Sequence, residues 1–485
     1  MRRQITAVLI TALLLSGCAV ATTKQASPDS GSPTPPPAAA SQARNAASHA
    51  ADSLITEASI RSHMTFLASD ALNGRGSGTR DEWIAAEYIG AQLQRIGLEP
   101  LGDNGGFVQR IEVERTETTA PPVLSAGTAK YTHGAEIMVQ SLGGARLSGA
   151  LQHFSSGVRP HPGAVLLMPE AVPPNYQQEV AAVAAVLLLE TPQVRARWGA
   201  GRRLPAPPAR IVGLPAGAGA RPSTVYLNKA TYAAIAAMRQ GTSISIDADV
   251  KTAARSQTWN AVGRLPGSDP GGASEVILLS AHLDHVGSRF DREAPADADT
   301  IYNGADDDAS GTIAVIELAQ ALAQGPPPKR TIVFAFFGSE EAGGFGSRYF
   351  ADRPVVPLSQ VVANLQFEMI GRPDNKVPAQ TLWLTGYERS NLGPELAKQG
   401  ARLVQDPHPE ESFFTRSDNI QFARRGIVAH TVSSFGLHQE YHQPSDEARH
   451  INYAHMTAAI QSMLGPIRWL ADSTFKPAWN PGMKP

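Results

Sequence analysis

The stretch RTIVFAFFGSEEAGGFGS, residues 330–347, runs from a continuous apolar segment directly into two adjacent glutamates. An uninterrupted apolar run of this length predicts a strand that is buried on both faces, as in the centre of a parallel sheet. Glu340 and Glu341 repel each other at its end, and desolvation adds to that cost, so a cation or a proton has to offset their charge. The stretch therefore predicts a central strand whose end carries chemistry.

The pattern of strand, loop, helix and strand continues on both sides of this stretch. Further buried strands are predicted within SEVILLSAHLD (274–284), QVVANLQFEMIG (360–371) and GIVAHTVSS (426–434). A helix is predicted within SGTIAVIELAQALAQ (310–324), where Gly325 and three prolines end it. Such alternation predicts an α/β fold, a three-layer α/β/α sandwich around a mostly parallel mixed sheet. Functional sites of these sheets lie at the carboxyl ends of the strands.

Metal-capable residues follow the predicted strands. Each has a simpler explanation when taken alone: His282 as a core histidine with Asp284 two residues on, and the aspartates of NGADDDASG (303–311) as a helix cap or as solvated residues. Together they form a set of nitrogen and oxygen donors that suits zinc, and less often cobalt or manganese. The residues of this set are His282, the aspartates of residues 306–308, Glu340 with Glu341, Glu368, and His442 in EYHQPSD.

Length and composition indicate a globular protein of two domains with appendages. The chain has 485 residues, of which 42% are hydrophobic and 18% charged, enough for a large core. The formal net charge is −2, which argues against nucleic acid as a partner because nucleic-acid-binding domains carry a basic surface.

The first twenty residues, MRRQITAVLITALLLSGCAV, are predicted to be an export signal. Leu15-Ser16-Gly17-Cys18 resembles a bacterial lipobox, which predicts that Cys18 becomes the lipidated first residue and the membrane anchor. The alternative is a plain signal peptide with a chance cysteine. Either way we expect an extracytoplasmic protein, and Ala19 is compatible with a lipoprotein on the periplasmic face of an outer membrane or at the cell surface.

Composition shifts divide the chain further. We predict a signal peptide over residues 1–17, a flexible tether rich in Ala, Ser, Pro and Thr over 18–52, an inserted β-rich α+β domain over 121–250, and a tail over 476–485. The catalytic domain is then discontinuous, over 53–120 and 251–475. Its first helix is predicted between the capping box Thr79/Glu82 and Gly97, with Trp83 on its core face and no chemistry of its own.

The motifs in order resemble the co-catalytic dizinc exopeptidases, a family that includes secreted bacterial aminopeptidases and glutamate carboxypeptidase. The likeness covers about residues 55–120 and 255–470, and rests on HMTFLASDALNGRGSGT (63–79), AHLDHVG (281–287), NGADDDASG, FFGSEEAGGFGS and YHQPSD. GRGSG (74–78) lacks the ending of a phosphate-binding loop. The region over 121–250 lies where many members carry a protease-associated domain, which helps to cover the cleft.

The resemblance implies a site with two zinc ions, or with cobalt or manganese at one position. Asp307 bridges them, His282 and Glu368 complete one position, and Glu341 and His442 complete the other. Glu340 acts as the general base. The resemblance also implies a cis peptide bond at Asp307-Asp308, and it leaves supporting roles for Asp284, Asp308 and Asp418, with Tyr441 as a guess for the oxyanion-stabilising group.

Two departures from the family pattern stand out. Glu368 replaces the usual aspartate, and Asn419 replaces a frequent histidine. His285, His438 and His450 lie near motifs, and we expect them at the rim or on the surface.

The predicted function is zinc-dependent aminopeptidase activity on peptides. The alternative enzymes are a carboxypeptidase or dipeptidase on the same scaffold. The alternative from another class is a non-catalytic binding protein like the transferrin receptor, which should have lost ligands or the base.

Overall fold

A computed structural model describes residues 54–173, 176, 180, 182–198, 204–214, 222–289 and 298–485. The predicted signal peptide, the tether, the lipidation site Cys18 and most of the acidic run at 291–299 lie outside these residues. No helix among the described residues has the length and apolar character needed to cross a membrane.

The α-helices and strands of the described residues alternate from about residue 311 onwards, whereas consecutive strands form much of the chain before it. The helices are α1 (Glu57–Leu67), α2 (Arg80–Ile96), α3 (Pro192–Trp198), α4 (Lys229–Ala236), α5 (Gly311–Gln324), α6 (Phe345–Asp352), α7 (Leu392–Lys398), α8 (Asn419–Ala423) and α9 (Tyr453–Asp472). The strands are β1 (Glu99–Pro100), β2 (Val108–Thr118), β3 (Val123–Ala126), β4 (Ala129–Thr132), β5 (Ile137–Ser141), β6 (Arg146–His153), β7 (Val165–Leu167), β8 (Ala185–Leu189), β9 (Arg210–Ile211), β10 (Ser223–Leu227), β11 (Ser243–Asp247), β12 (Val250–Leu265), β13 (Val276–His282), β14 (Gly287–Ser288), β15 (Ile301–Tyr302), β16 (Thr331–Phe337), β17 (Val361–Phe367), β18 (Leu382–Leu384), β19 (Leu403–Gln405) and β20 (Ala429–Ser433).

The larger sheet has a parallel centre flanked by antiparallel pairs, and its edge strand β19 pairs with β18 in parallel. Its order is β19-β18-β20-β17-β13-β16-β12-β2-β9, with β1 paired to β12. The four strands β20, β17, β13 and β16 are mutually parallel, whereas β12, β2, β9 and β18 join by antiparallel pairing. The α/β prediction is thus confirmed, and the parallel character lies in the centre, where the apolar runs are longest.

Helices cover both faces of this sheet, which makes three layers. Alternate residues of β13 point to opposite sides: Ile277 and Leu279 pack with α1, α2, α5 and α9, and Val276 and Leu278 pack with α6 and α8. A strand with helices on both faces has no solvent-exposed side, which explains why its sequence is apolar throughout instead of alternating.

A second sheet lies between β2 and β12. Its order is β4-β3-β11-β6-β7-β8-β10-β5, all from residues 123–247. The whole length of β2 pairs with β12, from Val250 with Thr118 to Ala261 with Val108, so the chain leaves and re-enters the larger sheet on adjacent strands. The assignment of this region as a protease-associated-like domain stays a prediction.

Helix α2 differs from its prediction in two respects. Thr79 caps it and Gly97, at φ 88°, ends it as expected, but Trp83 is 43% exposed and the buried face is formed by smaller residues such as Ala86 and Ile89. Glu82 is fully buried: its carboxylate accepts hydrogen bonds from the Gly78 and Ser339 amides and the Thr258 hydroxyl. The helix therefore contributes a polar anchor to the loop that carries Glu340.

Arg75 joins three segments at the carboxyl edge of the larger sheet. The side chain is 1% exposed, and its guanidinium donates to the carbonyls of Leu283 (3.1 Å), Asn303 (2.6 Å) and Gly304 (3.0 Å), and to that of Leu67. A planar group with five donors can satisfy several buried carbonyls at once, which lysine cannot do in the same geometry.

We expect Arg75→Met to lower the free energy of unfolding by about 3–5 kcal/mol, because it leaves buried carbonyls without donors. Chemical denaturation of the full chain measures the change. The control is Arg264→Met, which removes a 43%-exposed side chain paired with Glu99 and should cost under about 1 kcal/mol. Equal, small effects of both substitutions would contradict the structural role of Arg75.

Candidate metal centre

The parallel centre of the sheet brings the predicted site residues to one edge. His282 is the last residue of β13 and lies in register with Phe337, the last residue of β16. Glu340 and Glu341 follow β16, and Glu368 directly follows β17. Because parallel strands end on the same side of a sheet, residues far apart in the chain become neighbours here.

The carboxylate of Asp307 faces two groups of donors. Its Oδ1 atom lies 3.1 Å from His282 Nε2, and its Oδ2 atom lies 3.1 Å from His442 Nε2. Asp307, His282 and Glu368 form one group, and each offers a donor atom within 4.8 Å of the others. This is the geometry that a carboxylate bridging two ions requires.

The second group contains Asp307, Glu341, His442 and also His285. Glu341 Oε1 lies 3.0 Å from His442 Nε2 and 2.9 Å from His285 Nδ1. The structure thus brings together all five predicted ligand positions, with Asp307 common to both groups. Their roles as ligands remain a proposal.

The chemistry of these donors fits divalent cations. Two buried atoms that face each other in the second group, His285 Nδ1 and Glu341 Oε1, lack a hydrogen-bond partner. Buried polar atoms are normally paired, so unpaired atoms at the convergence of carboxylates and imidazoles indicate a missing partner of positive charge. Imidazole and carboxylate together are the set that zinc accepts.

The other aspartates of the loop hold the backbone in place. Asp308 is fully buried and accepts hydrogen bonds from the amides of His282 (3.2 Å), Gly311 (2.9 Å) and Met369 (3.1 Å), so it joins β13, α5 and the residue after Glu368. Burial raises the pKa of Asp308 well above its ordinary value, and the nearby carboxylates Glu368 and Asp307 add to the shift.

The loop is also fixed from the C-terminal side. Asp446, in the predicted motif YHQPSD, accepts hydrogen bonds from the amides of Asp306 and Asp307 at 3.0–3.1 Å. Asp306 in turn accepts from the Gly371 amide at 2.8 Å. The peptide bond at Asp307-Asp308 is cis, which confirms the prediction.

Glu340 borders the same cleft and has no counter-charge of its own. Its amide donates to Asp284 Oδ1 at 2.9 Å, which fixes the backbone beside His282. Burial raises the pKa of the Glu340 carboxyl well above its ordinary value, and the carboxylates of Asp418, Glu368 and Glu341 raise it further, whereas His282 opposes the shift. Cations in the neighbouring groups would oppose it more strongly.

Three predicted supporting residues lie around this centre. Asp284 Oδ1 is 3.6 Å from His282 Nδ1, too long for a hydrogen bond, and its oxygens accept from the Glu340 amide and the Ser77 hydroxyl. Asp418 is buried, and burial raises its pKa to about 7. The Tyr441 ring stacks on that of His442, with centroids 3.9 Å apart.

The prediction that His285 lies at the rim was wrong. Its side chain is fully buried and belongs to the second donor group. The rule that alternate strand residues face alternate sides stops applying after His282, where β13 ends, so the sequence could not show which way His285 points.

The other two rim histidines differ from each other. His438 is 9% exposed and its Nε2 lies 2.9 Å from Asp306 Oδ2, so it supports the loop instead of facing solvent. His450 is partly exposed and lies beside Arg449.

Sequence reasoning missed Ser417, whose hydroxyl donates to Glu368 Oε2. Ser417 lies in RSDNIQF (416–422), and the one sequence signal that could have identified it is its position next to Asp418.

A pocket opens beside the two donor groups. One wall is apolar, formed by Met369, Trp383, Phe413 and Phe435, which pack together. Glu340, Glu341 and Glu368 also line the pocket. Among the described lining residues Arg416 is the one Lys or Arg, and it already pairs with Glu411 at 3.2 Å and lies over the Phe413 ring. The pocket therefore combines an apolar surface with an acidic one.

Comparisons with known proteins agree with the motifs. Residues 260–465 match the family model for peptidase family M28. The chain is 25% identical over 209 residues to leupeptin-inactivating enzyme 1 of Streptomyces exfoliatus, covering 40% of this chain and 44% of the relative. It is 28% identical over 193 residues to the Mycobacterium tuberculosis protein named "Probable lipoprotein aminopeptidase LpqL", covering 37% of this chain and 35% of the relative.

The matched part is limited, since the chain spans less than half the length of these curated relatives. Among solved structures, the aminopeptidase from Aneurinibacillus sp. strain AM-1 aligns with a TM-score of 0.48 at 18% identity, over 90% of this chain and 97% of that chain. The match of residues 260–465 to peptidase family M28 agrees with the family predicted from the motifs at the strand ends.

Proposed function

We propose that this protein is a zinc-dependent aminopeptidase that holds two zinc ions, one in each donor group around Asp307. The observation that carries the proposal is that the two oxygens of Asp307 face different histidines, His282 and His442, each at 3.1 Å. A carboxylate with one ion pair would present one side to a partner, whereas a bridging carboxylate presents both. Cobalt or manganese at one position is the alternative metal content.

The metals would polarise the scissile carbonyl and lower the pKa of the attacking water. Glu340 takes the proton from this water and delivers it to the leaving amine. The hydrogen bond from the Glu340 backbone amide to Asp284 keeps this backbone beside the centre, and the Glu340 carboxylate lines the pocket. We assign Tyr441, also in the pocket lining, to the stabilisation of the developing oxyanion, and Asp284, Asp308 and Asp418 to support of the ligands.

The shortage of free cations in the pocket favours an aminopeptidase over a carboxypeptidase. A substrate carboxylate is normally bound by an Arg or Lys side chain, and Arg416 is the one such residue among the described lining residues. The cation that could bind a carboxylate, Arg416, is paired with Glu411. The apolar wall fits a large apolar first side chain. A carboxypeptidase or dipeptidase, and a binding protein like the transferrin receptor, remain the alternatives that experiment has to exclude.

We expect the full chain to hydrolyse leucyl- and phenylalanyl-anilides and to leave their N-acetylated counterparts intact. A metal chelator should abolish the activity and added zinc should restore it. Parallel assays with N-blocked peptides that have a free C-terminus identify the end attacked. Cleavage of these blocked peptides would point to a carboxypeptidase, and the absence of tightly held metal after dialysis would point to a binding protein.

We expect Glu340→Gln to reduce kcat by roughly two to four orders of magnitude, because it removes the proton acceptor and leaves the donor groups intact. Metal content, measured by mass spectrometry, should stay at the wild-type value, whereas Asp307→Asn should lose metal. The matched control is Glu395→Gln, at a surface glutamate paired with Lys398, which should keep wild-type kcat. A Glu340→Gln enzyme with near-wild-type kcat would contradict the assignment of the base.

We propose that Cys18 is lipidated and anchors the protein on the extracytoplasmic side of a bacterial membrane. The lipobox-like LSGC at residues 15–18 supports this, and one relative bears the word lipoprotein in its name. Two-membrane cells would hold it on the periplasmic face of the outer membrane or at the surface.

Cys18→Ser should prevent incorporation of radiolabelled palmitate and shift the protein from the membrane to the soluble fraction. The thioether link that carries the lipid cannot form on serine. Ser27→Ala, within the predicted tether, is the control that should keep the label. Retention of label in Cys18→Ser would mean that another residue is acylated.

A further inference from the structure

We propose that His285 is a third histidine of the metal centre and binds, through Nδ1, the ion held by Glu341 and His442. The inference rests on the metal pair of the proposed function and does not depend on which peptides the protein cleaves. It would give that position four protein ligands, whereas the position of His282 and Glu368 has three.

The surroundings of His285 provide no hydrogen-bond partner for its ring. The side chain is fully buried, and neither ring nitrogen has a hydrogen-bond partner. An unpaired buried imidazole costs free energy through the lost hydrogen bonds, so its retention requires a partner in the same cavity. The neighbours of Nδ1 are the carboxylates of Glu341 and Asp307.

The ring is held in this orientation from several sides. The His285 amide donates to the Arg75 carbonyl at 3.1 Å, and its carbonyl accepts from the Ser77 amide at 3.3 Å. Gly304 lies against the ring: a Cβ atom at this position would come within 2.5 Å of His285 Cγ. The glycine before the aspartate loop, with φ at 58°, thus leaves room for the imidazole next to Asp307.

The distances between donors match a site around a small ion. Four donors placed tetrahedrally at about 2.0–2.1 Å from zinc lie roughly 3.3–3.4 Å from one another. His285 Nδ1 lies 2.9 Å from Glu341 Oε1 and 3.8 Å from Asp307 Oδ2. The corresponding distances from His442 Nε2 are 3.0 and 3.1 Å. The two histidines thus flank the same two carboxylate oxygens.

The short contact between His285 and Glu341 is not an aligned hydrogen bond. Although the two atoms are 2.9 Å apart, both His285 Nδ1 and Glu341 Oε1 lack a hydrogen-bond partner. A donor and an acceptor at this distance would normally align, because the bond weakens steeply with misalignment. Misaligned lone pairs at this separation are expected when both atoms point to a third centre between them.

The competing role is that of a positioning residue, in which a protonated Nδ1 donates to Glu341 without touching the ion. The two roles differ in one observable property. A ligand nitrogen shares electrons with the metal and shows scalar coupling to it, whereas the nitrogen of a positioning residue carries a proton and shows none.

The test uses the full chain, labelled with ¹⁵N in histidine and loaded with ¹¹³Cd²⁺ in place of zinc. Heteronuclear NMR then counts the imidazole rings coupled to cadmium. We expect three rings, one of them coupled through Nδ1, and we expect His285→Asn to remove that signal alone. The control His450→Asn, at a histidine outside both donor groups, should leave three coupled rings.

Two coupled rings in the wild type, those of His282 and His442, would overturn this inference and leave the metal pair intact. If neither of these rings coupled to cadmium, the metal centre of the proposed function would fail as well. Zinc competition provides a second readout: His285→Asn should weaken binding of the ion held by Glu341 and His442 more than about 100-fold, beyond the 10–100-fold loss typical of residues that only position a ligand. A smaller loss would favour the positioning role.

Discussion

Mutual repulsion of carboxylates around Asp307 is the constraint on which the rest of this site depends. Glu340, Glu341 and Glu368 converge on it at the edge of a sheet whose interior is apolar, and the buried guanidinium nearby, that of Arg75, binds backbone carbonyls. Isolated buried anions are too costly to retain, so they either take up protons or share cations. The two-sided contact of Asp307 with His282 and His442 favours shared cations.

Hydrogen bonds in the surrounding loops hold these carboxylates in fixed positions, away from solvent. Asp308 and Asp446 bind main-chain amides of the aspartate loop and of the neighbouring strands, so neither is free to bind metal. Glu82 does the same for Ser339, next to Glu340. Acidic residues thus have two roles here. Those that accept hydrogen bonds from amides fix the backbone, so that the others can face ions with little reorganisation of the site.

Backbone conformation adds to this precision. Ser339 precedes Glu340, and Met369 follows Glu368. Both residues have φ near +50°, as has His442. Residues other than glycine rarely adopt this conformation, and they keep it only where surrounding contacts compensate. Such residues next to proposed ligands indicate that ligand placement, more than local backbone preference, has shaped these turns.

The sequence alone determined the fold class, the strands whose ends meet at the site and most of the residues that the structure brings together there. Apolar runs of about seven residues rich in Val, Ile and Phe favour strands covered on both faces. The carboxyl ends of parallel strands lie at one edge, so His282, Glu341 and Glu368 could be expected to meet. Capping residues determined where helices begin and end, as Thr79 and Gly97 do for α2.

Only the tertiary structure decided which side chains beyond the strand ends turn inward. His285 and His438 lie in loops, where no periodicity relates position to direction; His285 proved buried and His438 half-buried. Trp83 followed helical spacing and is nevertheless 43% exposed. The burial of Arg75 and Glu82 depends on carbonyls and amides supplied by distant segments, and a partner that comes from elsewhere in the chain leaves no trace in the local sequence.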